Sequence, residues 1–131
     1  MDTKNSLSTL WIFVLLNIIF RDLHEMLRPG VLLEMQSGII NGNPMSESFL
    51  LVAAIMIEIP ISMVLFSKVL PYPINYRLNI GVAILLMIGS MTFGFNDMDD
   101  LFFLIVENIA LATIIWKAWN WRTLSLLSLK N

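Results

Sequence analysis

The chain has no cysteine. That absence removes disulfides, thiolate metal sites and the dithiol chemistry of four-helix membrane thiol oxidoreductases, and it leaves the redox compartment unread. Charge is also scarce: only 14% of the 131 residues are charged, the net charge is −2, and no basic run occurs. Nucleic acid is therefore not expected as a partner. There is a single histidine, His24. No small-residue cleavage site follows the first apolar run, so the N-terminal segment is read as an uncleaved first crossing rather than a signal peptide.

What the chain has is apolar surface. It is 57% hydrophobic, with a mean hydropathy of +0.77, outside the usual range of a soluble domain. A crossing takes about 20 residues, and inside a bilayer every backbone polar group must be satisfied within the helix. The expected fold class is all-α: a four-helix transmembrane bundle forming a single integral membrane domain over residues 1–131. The expected helices run over about 7–27, 48–70, 78–95 and 101–121, with an external loop at 28–47. Within that loop Val31 to Met35 predicts a short helical turn on the surface, and Ile39-Ile40-Asn41-Gly42 predicts a tight hairpin. Pro71 to Arg77 reads as a proline-broken interfacial turn. Ala83, Ser90 and Gly94 share one face of the third helix and Gly81 and Gly89 another, a pattern that lets membrane helices approach closely.

Lys4, Lys68, Arg77, Lys117, Arg122 and Lys130 fall at one membrane face, against Arg28 alone in the opposite connectors. The positive-inside rule then places both termini in the cytoplasm, as an even number of crossings also requires.

Against this apolar background the ionisable groups stand out. Asn17, Arg21, His24, Glu25 and Arg28 fall on one helical stripe, while Trp11, Ile12, Leu15, Ile19, Leu23 and Met26 cover the rest of the first helix. The purely apolar part, Leu7 to Phe20, is too short to cross alone, which puts Arg21 to Glu25 below the membrane surface. The rival reading is a shorter helix with its arginine snorkelling among headgroups. Glu58 is the one charge in the interior of the second helix and lies at the bilayer midplane, beside Ser62 and near Pro60. Asp97, Asp99 and Asp100 read as solvated caps on the fourth helix, and Glu107 lies on the same face as Asp100 at i−7.

Arg21, His24, Glu25 and Glu107 share the outer half, with Glu58 deeper. This predicts a polar cavity that opens outward beneath the 31–47 loop. There Arg21 would hold an anionic or carbonyl group, His24 would exchange protons and Glu58 would accept one. The plain alternative is an ion pair of Arg21 with Glu25 at i+4, or with Glu107 across the bundle, that merely lets a polar helix pack in lipid. His24, Glu25, Glu58 and Glu107 lack the Glu-x-x-His spacing of carboxylate-bridged bundles, so no metal or other cofactor is assigned.

The order of motifs runs from Leu-Trp-Ile-Phe-Val-Leu-Leu-Asn17 into Phe-Arg21-Asp-Leu-His24-Glu25 and Arg28-Pro-Gly. Asn41-Gly42, Glu58-Ile-Pro60, Asp99-Asp100 with Glu107 and a Trp-Lys-Ala-Trp close follow. This order resembles an uncharacterised family of small four-span bacterial membrane proteins, a domain of unknown function. The resemblance implies a bacterial cytoplasmic (inner) membrane location, multi-pass, and carries no activity or site residue. The function expected from the residues is binding or transport of a small or amphipathic molecule in the Arg21, His24, Glu25, Glu58 and Glu107 pocket. Two alternatives stand beside it. One is a membrane-embedded enzyme on a lipid-like substrate, with His24 and a glutamate as acid and base. The other is a structural subunit whose stripe meets another protein or a second copy in a homo-oligomer. Membrane lipid is the expected surrounding partner.

Overall fold

The computed structural model describes residues 2–40 and 42–128. Its elements are α1 (Thr3–Leu27), α2 (Val31–Gln36), β1 (Ile39–Ile40), β2 (Asn43–Pro44), α3 (Glu47–Val69), α4 (Tyr72–Phe93) and α5 (Met98–Ser128). Four of these helices are long and apolar enough to cross a bilayer, over Thr3–Leu27, Glu47–Val69, Tyr72–Thr92 and Met98–Trp121. Large apolar side chains such as Leu51, Val52, Leu85, Ile88, Phe102 and Ile109 point outward along them. That surface suits hydrocarbon and not water.

The helices begin where side chains satisfy their first N–H groups. Asp2 caps α1 by accepting from the Asn5 N–H at 2.7 Å, which starts the helix a turn before the expected Leu7. Ser46 caps α3 by accepting from the Phe49 N–H at 3.1 Å. The segment from Pro71 to Arg77 is not the broken turn expected from its prolines. Pro71 is the N-cap and Tyr72 to Arg77 form the first turns of α4, because a proline in the first turn lacks only an N–H that would have no partner inside the helix. The loop between α1 and α3 holds the predicted short helix as α2, and β1 pairs antiparallel with β2. Asn41, at the tip of the predicted hairpin, lies outside the described residues, as does the tail at 129–131 with Lys130.

α1 packs against both α3 and α5, and α5 packs against α4, while the consecutive helices α3 and α4 touch only sparsely. The core is built at the end that holds the start of α1. Leu7, Trp11 and Val14 of α1 meet Met63 of α3, Ala83 of α4, and Ala110, Leu111, Ile114 and Ala118 of α5. Trp11, expected among the outward apolar residues, is fully buried there, whereas Ile12, Ile19, Leu23 and Met26 do face out. The glycines of α4 do not bring helices into close contact: a Cβ added at Gly81 or Gly89 would meet nothing within 4 Å.

A neutral polar network locks this end. The Trp11 Nε1–H donates to Asn79 Oδ1 at 2.6 Å, and Ser67 Oγ donates to the same oxygen at 3.1 Å. Asn79 Nδ2 donates to the Asn75 side-chain oxygen at 2.7 Å. Asn75 Nδ2 in turn donates to the carbonyls of Ser67 at 2.8 Å and Leu70 at 3.1 Å, capping the C-terminus of α3. Ser8 adds a bond from α1 to the Val64 carbonyl at 2.8 Å. Among the described residues no buried side-chain nitrogen or oxygen is left without a partner, as a water-free interior demands. Asn79→Ala is expected to strand the Trp11 N–H and lower stability by about 1–3 kcal/mol. Thermal unfolding in detergent checks this, and in a Trp11→Phe background the same substitution should cost measurably less.

Candidate functional site

At the opposite end the polar groups are charged. Arg21 leaves α1 toward the turn between α4 and α5, and three acceptors surround its guanidinium. Nε donates to Asp100 Oδ1, Nη2 donates to the Gly94 carbonyl at 2.8 Å, and Nη1 lies 3.8 Å from Glu107 Oε2. Gly94 ends α4 at φ 70°, ψ −149°, a conformation essentially confined to glycine, and this turns the chain sharply enough to aim that carbonyl at Arg21. Asp100 is spent on both oxygens, because Oδ2 accepts from the Asn96 N–H at 2.9 Å. Arg21 and Asp100 are the hinge between α1 and the α4–α5 turn.

Of the residues named from the sequence, Arg21 and Glu107 come together, and the anticipated pairing across the bundle is present. Glu25 does not join Arg21. It pairs with Arg28 Nη2 at 2.7 Å and accepts a long bond from Asn96 Nδ2 at 3.5 Å, since the partner at i+3 reaches it while Arg21 is held by α5. His24 sits at the outer rim, with Nδ1 3.4 Å from Asp99 Oδ2 and its ring 5.2 Å from that of Phe103. Glu58 is exposed on the outside of α3, in a separate groove lined also by Ser62, Phe66 and Leu78. The five residues therefore do not form one pocket. Among the described residues no group of three His, Cys, Asp or Glu side chains converges as a metal site would require.

Beside the Arg21 cluster lies a cavity of about 350 Å³, lined at its polar end by Arg21, Asp22, Ser90 and Glu107 and along its apolar walls by residues such as Ile18, Met56, Pro60 and Leu86. All four long helices contribute to it. Its volume is in the roughly 300–1,000 Å³ range of small-molecule sites. Gly89 lines it without a side chain. Ser90 is held by Asn108 of α5, whose Nδ2 donates to its Oγ at 3.1 Å. Asp22 and Glu107 face a guanidinium already committed to Asp100, so the polar end carries more carboxylates than cations. Nη1 is the guanidinium nitrogen nearest Glu107, at 3.8 Å from Oε2.

Asp100 and Asp22 were not foreseen as members. The i−7 spacing of Asp100 from Glu107 was the available signal, because two turns of one face can reach the same guanidinium. Asp97, not Asp100, takes the capping role, accepting from the Asp100 N–H at 3.1 Å.

The architecture is thus a multi-pass membrane bundle with a charged cluster and a cavity near one end. The chain belongs to the DUF6326 family, described as a family of unknown function, and matches it over residues 1–128. No curated protein and no solved structure matches the chain.

Breaking one partner of a buried ion pair leaves the other charge uncompensated at a cost of roughly 3–5 kcal/mol, and a half-exposed pair is worth about 0–1 kcal/mol. Asp100→Ala should therefore lower the midpoint of thermal unfolding strongly. Asp99→Ala, which frees only the rim residue His24, should shift it by no more than about 4 °C, consistent with a cost of no more than about 1 kcal/mol.

Proposed function

We propose that this protein is a binding module of the bacterial cytoplasmic membrane for a small amphipathic molecule, held in the cavity beside Arg21 and Glu107. The observation that carries the reading is the lining: one end of the cavity is ionic and the remainder is aliphatic, which matches a molecule with a polar group and an apolar body. The polar group would meet Arg21 Nη1, Glu107, Asp22 and Ser90, and the apolar part would lie along Ile18, Met56 and Leu86. Binding is favoured over transport by the packed core of Trp11, Val14, Met63, Ala83 and Leu111 between the cavity and the other membrane face. The enzyme reading is weakened by the position of His24, which does not line the cavity and so offers no acid or base to a molecule inside it.

The expected orientation has both termini in the cytoplasm and the Arg21 end outward. It is supported by the basic side chains near the Trp11 end; the aromatic cluster there, where Tyr72 meets Trp121 edge-on at 5.0 Å and stacks near Tyr76 at 5.1 Å, fits a membrane interface on either side. Because the chain has no cysteine, single introduced ones report topology directly. In intact cells Ser37→Cys should react with a membrane-impermeant maleimide, and Lys4→Cys should react only after permeabilisation. The reverse pattern would invert the orientation.

Native mass spectrometry of the protein released from lipid nanodiscs tests the binding itself. The wild type should retain a small amphipathic adduct. Gly89→Leu, which fills open space in the cavity, should reduce its occupancy by about tenfold or more, equivalent to roughly 1.4 kcal/mol, while the unfolding midpoint holds. No adduct on the wild type, or one indifferent to Gly89→Leu, would remove the reading.

A further inference from the structure

Glu58 is set apart from every polar feature described above. It is eleven residues from either end of α3, so at about 1.5 Å per residue it lies near the middle of the membrane-spanning length. It accepts no hydrogen bond and makes no ion pair among the described residues. It opens instead into a groove of about 360 Å³ between α3 and α4, lined by Ile55, Ser62, Phe66, Leu78 and Val82 among others and open to the side. The groove exists because α3 and α4 pack on α1 and α5 rather than on each other. No lysine or arginine lines it.

From this juxtaposition we propose that the groove is a second, separate binding site that takes a lipophilic cation from within the bilayer, with Glu58 as its counter-charge. A carboxylate with no partner at this depth is strongly disfavoured in hydrocarbon, and a cation delivered to it relieves that cost. The chemistry of the cation follows from the lining. A primary ammonium needs acceptors for three N–H groups, and the side chains of the groove offer only Glu58 and the Ser62 hydroxyl. A quaternary or aryl-substituted onium needs none, and its apolar groups match Ile55, Phe66, Leu78 and Val82. Phe66 adds an aromatic ring of the kind that attracts such cations. Phospholipid headgroups stay at the interface, which separates this occupant from bulk lipid.

The probe is tetraphenylphosphonium, measured by equilibrium dialysis against the full chain in nanodiscs, with tetraphenylborate as the anion of matching shape. Saturable binding of the phosphonium near one per chain is expected, with no saturable binding of the borate. Glu58→Gln should weaken phosphonium binding by about thirtyfold or more. Gly89→Leu, in the other cavity, should leave it unchanged. Glu58→Gln removes an unpaired charge from the outside of the bundle and should fold at least as well as the wild type, so loss of binding will not reflect unfolding. Equal binding of the borate, undiminished binding to Glu58→Gln, or no saturable binding to the wild type would each overturn the proposal. A light-scattering mass that shows a dimer dissociating in Glu58→Gln, with no phosphonium bound, would overturn it in favour of a second copy seated in the groove.

Discussion

A guanidinium taken out of water cannot be left bare, and the Arg21 side chain is largely covered near the end of a helix long and apolar enough to cross a bilayer. Asp100, the Gly94 carbonyl and Glu107 together meet this demand. Each imposes a constraint on the rest of the chain. Gly94 has to end α4 in a backbone conformation that other residues resist, Asp100 has to start α5 with its carboxylate turned inward, and Glu107 has to follow two turns later on the same face. The turn between α4 and α5 is therefore shaped around a side chain of α1. That long-range contact fixes the rotation of α5 against α1 and, with it, the cavity between them.

The other end of the bundle solves the same problem with neutral groups. Asn75 and Asn79 spend their amides on the end of α3 and on Trp11, so the end where α3 turns into α4 needs no ion pair. The network and the core beneath it close this half tightly, and the charged half is left looser, with a cavity beside its cations and carboxylates. Tight packing and the cavity thus lie toward opposite ends of the bundle. The apolar contacts and amides hold the helices together near one end, and the charge cluster both staples the opposite end and forms the polar wall of the cavity.

Two carboxylates illustrate how environment separates roles in so small a protein. Glu107 is buried and shares a guanidinium with Asp100, while Glu58 is exposed, without an ion pair among the described residues, in a mainly apolar groove. Around α3, Ile57 and Glu58 differ by about 100°, and that step is the difference between lining the inner cavity and lining the outer groove. The sparse contact between α3 and α4 makes the outer groove possible.

The local features were legible in the residues. Four crossings follow from length and hydropathy, α2 and the β1–β2 pairing from turn chemistry, and the Arg21–Glu107 meeting from shared depth. Helix ends were legible only to within about two turns; at α1 and α4 this is because Asp2 and Pro71 extend the helices through capping that hydropathy does not register. The expected convergence of His24, Glu25 and Glu58 on one pocket does not occur, and neither the Asn75–Asn79 hub nor the inward turn of Asp100 was legible. These depend on how each helix is rotated against its neighbours. α3 is apolar nearly all round, so its sequence carries little information about which side faces the bundle. Hydrophobic periodicity reports burial, and in a bilayer both the lipid-facing and the protein-facing sides of a helix are apolar. What the sequence alone determined is that this chain has four helices long and apolar enough to cross a membrane, with ionisable groups among them. Which charges meet, and which one is left facing outward, was decided by tertiary packing, through the partners that Arg21 and Trp11 require once water is gone.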